Sequence, residues 1–181
     1  MLLLGGRPAD SAAGDSVIGV IFASGEFFTN GYEVRGSSSL VNESAIDTLA
    51  SPVHIFLGNN GRLDLAADSR ALVSQSQAVL ENGSIQSRGS YLVRANQVSI
   101  RGTSSSDFFR VSVSGNSVRV SVLSGKIEVK NSREEVITRM LAVQNLLFTL
   151  QKSGIRISAE KIGVPDVFYG GYPYEIGTTK F

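Results

Sequence analysis

The sequence contains no cysteine. That excludes disulfides, thiolate nucleophiles and cysteine-based zinc sites together, and it suits a reducing or an oxidising compartment equally. Charge is also scarce: charged residues are 18% of the 181 positions, below the roughly 25% usual for soluble domains. Seventeen Lys and Arg against sixteen Asp and Glu leave a net charge of +1. Basic residues gather on no stretch, so the electrostatic footprint of a nucleic-acid binder is missing. No apolar run approaches the ~18 residues of a membrane-spanning helix. The opening MLLLGGRPADSAAGDS has three leucines but neither a basic n-region nor an adequate apolar h-region. Residues 1–15 are therefore expected to be a disordered segment or a trimmed leader. The length suits one domain with a real core and not two.

What is abundant is glycine, with 19 copies, arranged as punctuation between short alternating phrases. GRLDLAADSRALV from Gly61, ENGSIQSRG from Glu81, GNSVRVSV from Gly115 and SGKIEVKN from Ser124 each join a glycine to apolar residues alternating with polar ones. Alternation with a period of two is the mark of a half-buried strand. Val17, Ile18, Val20 and Phe22 lead to a break at Ser24-Gly25. Asn30-Gly31, a pair that easily takes positive φ, predicts a hairpin, with Gly36 ending its second piece and Ser37–Ser39 opening the next. In VHIFLG, Val53, Ile55 and Leu57 share one face with His54 and Phe56 on the other. Asn59-Asn60-Gly61 then turns the chain into RLDLAA. Short, punctuated strands without intervening helices argue for an all-β sandwich, barrel or jelly-roll-like roll, mostly antiparallel. The restarts keep no fixed interval, which disfavours a strict solenoid.

The stretch 134–150 admits two readings. Ser132 and Glu135 resemble a capping box, and Val136, Met140, Val143, Leu147 and Leu150 recur near helical spacing. The same residues fit two strands joined at Val143 to Asn145. Beyond Lys152 no period is sustained, and 153–181, with Phe168, Tyr169, Tyr172 and Tyr174, is expected to be an irregular aromatic tail able to dock on a partner or on its own domain.

No constellation of residues names a reaction. His54 is the only histidine, and on a strand among apolar residues it reads as a core or sheet-face side chain. Asp64 and Asp68, and Glu134 and Glu135, are the nearest carboxylate pairs, and neither converges as acid–base chemistry needs. Asp68 beside Ser69 reads as a turn residue, and DLAAD lacks the oxygen density of a calcium loop. The glycines of SGNSVRV and ENGSIQS lead into strands, not helix N-termini, so turn formation and not phosphate binding is their expected role. The adjacent pairs Phe27-Phe28 and Phe108-Phe109 should place one ring on each side of a sheet.

The order of phrases resembles the FecR-like domain of bacterial proteins. It runs from Gly36 through Ala45-Ile46-Asp47-Thr48, then VHIFLGNNGRLDLAADSRALV, QAVLENGSIQ, YLVRANQVSIRG and RVSVSGNSVRVSVLSGKIEVKN. The last phrase carries the strand–glycine–strand pattern as Val120, Val122, Gly125, Ile127 and Val129. The resemblance covers Val17 to Leu150, giving 16–152 as the β domain. It implies a sandwich or jelly roll outside the cytoplasm, and it favours two strands over 134–150, although Ala142-Val143-Gln144-Asn145 stands where a glycine turn is usual. The best known members pass a signal from an outer-membrane receptor to a cytoplasmic sigma factor through a membrane helix ahead of the β domain. The sequence shows no such segment, so the expectation is a stand-alone periplasmic or secreted form. It would need no cofactor or metal and would not be an enzyme. Its expected role is to bind another envelope protein or component through a sheet face or an unpaired edge. A structural or surface-assembly domain without a soluble ligand is the alternative.

Overall fold

Short turns, most of them placed by residues that tolerate positive φ, cut the chain into strands. A computed structural model describes residues 16–152 and 154–160. In chain order the strands are β1 (Val17–Thr29), β2 (Tyr32–Val41), β3 (Ser44–Thr48), β4 (Val53–Leu57), β5 (Arg62–Leu65), β6 (Arg70–Val73), β7 (Gln77–Arg88) and β8 (Leu92–Ala95). There follow β9 (Val98–Gly102), β10 (Phe108–Ser114), β11 (Ser117–Ser124), β12 (Lys126–Asn131), β13 (Val136–Leu141), β14 (Asn145–Gln151) and β15 (Gly154–Ala159). The architecture is the all-β sandwich that the alternation predicts. Among the described residues no helix is long and apolar enough to cross a membrane.

Two strands belong to both layers. Residues 83–88 of β7 pair with β5 and β10, while its first half pairs with β6 and, in parallel, with β8. β1 likewise pairs with β4 through Gly19–Ala23 and with β3 through Phe27–Thr29. One sheet therefore runs β2-β1-β4-β5-β7-β10-β11-β14-β15 and the other β1-β3-β6-β7-β8-β9-β12-β13, with β1-β4-β5-β7-β6-β3 closing into a ring. Strands that change sheets at bends are how such sandwiches turn corners. The inward rows, including Ile21, Phe27, Leu40, Ile46, Ile55, Leu63, Leu65, Leu80, Ile85, Ile100, Phe109 and Phe148, are fully buried. Phe28 and Phe108 stay partly exposed on the opposite side, as their adjacency predicts.

Several boundaries differ from the sequence reading. Ser24-Gly25 is not a break: β1 continues through a register shift between Phe22 and Glu26, which lets it exchange partners. Gly36, at φ 78°, bends β2 without ending it. Gly83 lies inside β7 and not in a turn. The sheet also extends past Lys152, because Gly154–Ala159 pairs with β14 from Leu146 to Gln151. Its mostly exposed residues show too little alternation to be recognised. The rest of the expected tail, and residues 1–15, lie outside the described residues.

Where the reading left a helix open, two strands form, with Val143 in the connecting turn at φ 61° and largely exposed. A β-branched residue there is strained by about 1–3 kcal/mol, and glycine would remove that strain at a cost of about 0.5–1 kcal/mol in chain entropy. Val143→Gly is thus expected to raise the thermal midpoint by about 2–4 °C. An unchanged or lower midpoint in calorimetry would show that the turn is unstrained.

The recurring phrases mark interlocked corners. The Thr48 hydroxyl donates to the Ala66 carbonyl (2.6 Å) and accepts from the Ser69 N–H (2.8 Å), while the Ser69 hydroxyl accepts from the Ser84 N–H (2.9 Å). Across the sandwich, buried Asp107 takes the N–H groups of Thr103 (2.6 Å), Ser104 (2.6 Å) and Lys126 (3.1 Å) and the Ser104 hydroxyl (3.0 Å). Burial alone would raise the pKa of this carboxyl, but the bonds from Ser104, Lys126 and Thr103 outweigh it and hold the value below the usual carboxylate range.

Candidate functional site on the outer sheet face

On a strand, residues two apart share a face, and register decides which of them meet across the ladder. The register places Phe22 opposite His54, His54 opposite Asp64, Asp64 opposite Gln86, Gln86 opposite Arg110, and Arg110 opposite Ser121. These residues form one row across β1, β4, β5, β7, β10 and β11 on the side away from the core. Although it faces outward, the row from His54 onward is enclosed: His54 is 9% exposed, Asp64 8%, Gln86 8%, Arg110 7% and Ser121 3%.

Buried polar groups persist where they are paired. His54 Nδ1 lies 2.6 Å from Asp64 Oδ1, and Arg62 folds over the same oxygen through Nε (3.2 Å) and Nη2 (3.1 Å). With the Gln86 amide oriented to satisfy its neighbours, its oxygen accepts from Arg110 Nε (3.1 Å) and an Arg110 terminal nitrogen (2.6 Å). Farther along, the Ser84 hydroxyl donates to Ser112 (2.7 Å).

The adjacent row is more exposed. Val20, Phe56, Arg62, Arg88 and Phe108 stand opposite one another on successive strands. Phe56 meets Phe22 edge-on at 5.8 Å between ring centroids. The Arg62 guanidinium lies 5.3 Å from the Phe56 centroid, and that of Arg88 lies 5.1 Å from the centroid of Phe108. Both are cation–π distances. At the far side Arg119 pairs with Glu160; this hydrogen bond is the main cause of the raised pKa of Arg119 and the lowered pKa of Glu160.

A histidine on a carboxylate can orient an imidazole for proton transfer. Here the carboxylate oxygen is shared with Arg62, and the residues in register beside the pair are Phe22 and Gln86, neither of which is a nucleophile. What the arrangement provides is a rigid, hydrogen-bonded floor beside an aromatic and cationic strip, suited to recognition. His54 is thus the sheet-face residue its pattern predicts. Asp64 meets His54 and Arg62, not Asp68, which stands exposed in a turn at φ 53°. Glu134 and Glu135 sit in the β12–β13 turn, away from this face. The row itself was missed, because Gln86, Arg110 and Ser121 occupy ordinary outward positions in their strands, and only register brings them together. Among the described residues no three His, Asp or Glu side chains converge as a metal site would require.

No protein-family profile and no curated protein matches the chain. Two crystal structures of a candidate anti-sigma factor from Parabacteroides distasonis, at 1.65 Å and 2.50 Å resolution, share its fold, with TM-scores of 0.51 and 0.50 and 19% sequence identity. The similarity covers 65% of this chain and 60% of the neighbour, less than two thirds of that protein's length. The chain is therefore similar in fold to part of this candidate anti-sigma factor.

Proposed function

We propose that this chain is an extracytoplasmic FecR-like module of the bacterial envelope, which acts in regulation or signalling by binding another protein and carries out no reaction of its own. The observation that carries this reading is the outer face of the first sheet. Exposed Phe22 and Phe56 stand there beside Arg62 and Arg88, over the hydrogen-bonded row from His54 to Ser121. Aromatic residues and arginine are the side chains enriched at protein interfaces and at their energetic centres. The phrase order from Gly36 to Asn131 and the fold shared with the candidate anti-sigma factor support the regulatory reading.

The reading is tested by capture from fractionated bacterial extracts on immobilised protein, with crosslinking to retain weak complexes. A specific partner is expected from the envelope fraction. Recovery of partners from the cytosolic fraction alone, or of none at micromolar concentration, would count decisively against it.

A further inference from the structure

An open strand at the end of a sheet offers unpaired backbone groups to another chain. Among the described residues the first sheet ends at β2 and β15 and the second at β13, since β2 pairs with β1 alone, β15 with β14 alone and β13 with β12 alone. β13 is interrupted by a bulge facing Val129 and Lys130, a device that turns an edge out of line. β15 presents one charged residue, Arg156, with no acidic residue inside the strand to answer it. Of the three edges only β2 holds both signs of charge in one flat stretch, as Glu33 and Arg35.

The β1–β2 hairpin decides which backbone groups of β2 are free. Asn30 (φ 52°) and Gly31 (φ 81°) form its two-residue turn, which makes Thr29 and Tyr32 the hydrogen-bonded closing pair. Bonded and non-bonded pairs then alternate, so Val34 bonds to Phe27, while Glu33 and Arg35 turn their N–H and C=O groups to the open side. A second β2 running antiparallel about a two-fold axis at Val34 meets those groups in phase. Glu33 then falls opposite Arg35 of the second copy, Arg35 falls opposite Glu33 of the second copy, and each pair exchanges both N–H···O bonds.

Charge selects this register. Shifts that keep the two faces aligned move the axis to Glu33 or to Arg35, and they set glutamate against glutamate or arginine against arginine. Both side chains stand on the outer face, opposite Phe28 and Glu26 of β1. Arg35 reaches Glu26 and Glu33 of its own copy, yet its side chain is 75% exposed, and a guanidinium with five N–H donors has others for a further carboxylate. The result is an alternating network of charges, which contributes more than an isolated surface pair.

We propose that the chain pairs with a second copy of itself as a two-fold dimer through the edge of β2 centred on Val34, joining two first sheets into one. The pairing stands whether or not an envelope partner exists. Because β2 bends at Gly36 (φ 78°), the flat contact is short and the dimer belongs with the weak interfaces. It sets the outer faces of two first sheets on one continuous surface.

Sedimentation velocity of the full chain should show a shift from monomer to dimer between about 1 and about 200 µM, weakening as salt rises from about 50 to about 500 mM. Glu33→Arg and Arg35→Glu should each stay monomeric over that range with circular dichroism unchanged, because each sets like charges across the axis. An equimolar mixture of the two variants should recover the dimer, since arginines at both positions of one copy then meet glutamates at both positions of the other. Recovery on mixing is the deciding readout: a variant that misfolds, or that only loses the contact with its own Glu26, gains nothing from the other. A parent chain that is monomeric throughout, assembly beyond the dimer, a dimer that survives either substitution because it lies at another surface, or a mixture that stays monomeric would each overturn the proposal.

Discussion

Replacing Gly83 by alanine should destabilise the domain by about 4 kcal/mol, a large share of the roughly 5–15 kcal/mol that holds an ordinary domain folded. Gly83 sits at φ 82°, in the left-handed region, at the point where β7 passes from one sheet to the other. A Cβ there would fall 2.3 Å from the Ser69 hydroxyl oxygen, 2.6 Å from the Ser69 Cα and 2.7 Å from its Cβ. Ser69 cannot retreat, because its N–H is held by Thr48 and its hydroxyl by the Ser84 N–H. Backbone strain of about 1–3 kcal/mol and displacement of this corner therefore act together. Urea unfolding would measure the loss. Ser69→Gly in the Gly83→Ala background should recover part of it by removing two of the three clashing atoms, and that partial rescue separates steric conflict from strain alone. A midpoint within experimental error of the parent protein would sink this account of the corner.

The second large effect is expected at Asp107. Asp107→Ala removes the acceptor of three backbone N–H groups, from Thr103, Ser104 and Lys126, at a residue that is 3% exposed. Hydrogen bonds to a charged group contribute about 1.5–3 kcal/mol each, and water can reach some of the freed donors at the exposed loop, so a loss of about 3 kcal/mol is expected. The pH dependence gives an independent check. The folded carboxyl titrates below its ordinary value, so the unfolded chain binds more protons as acid is added. The contribution is complete above the unfolded value, about 3.9, and is lost as pH falls through the lower folded value. Asp107→Asn should therefore be less stable near neutrality and should show a flatter stability profile below about pH 4. A profile that parallels the parent protein would mean that other carboxylates govern the acid limb.

These two positions also show what could be read in advance. Alternation and glycine punctuation gave the strands from Val53 to Asn131, the Asn30-Gly31 hairpin and the inward faces, because a period of two is a local property. Gly83 looked like a turn residue since nothing local distinguishes a turn from a bend that carries a strand between sheets. β15 carries no such signal because an exposed edge strand needs no apolar alternation. The candidate site is the least legible: the carboxylate nearest Asp64 in sequence is Asp68, four residues away, whereas its register partners His54 and Gln86 are ten and twenty-two positions distant. Register depends on turn geometry and on burial of the opposite face, neither of which the outward residues record.

Because β7 supplies an edge to β5, β6, β8 and β10, it binds segments that are far apart in the chain. Neither sheet can be completed before this strand is in place, and closing the ring with β1 requires loops of tens of residues to be ordered first. Loop closure of that kind makes folding slow, in the millisecond-to-second range typical of β-sandwiches. It also makes loss of structure all-or-none, as opposed to layer by layer. The outer face of the first sheet inherits that cooperativity: the arginine and aromatic groups on β4, β5, β7 and β10 are set in place together, and no fragment cut on either side of β7 would carry the surface intact.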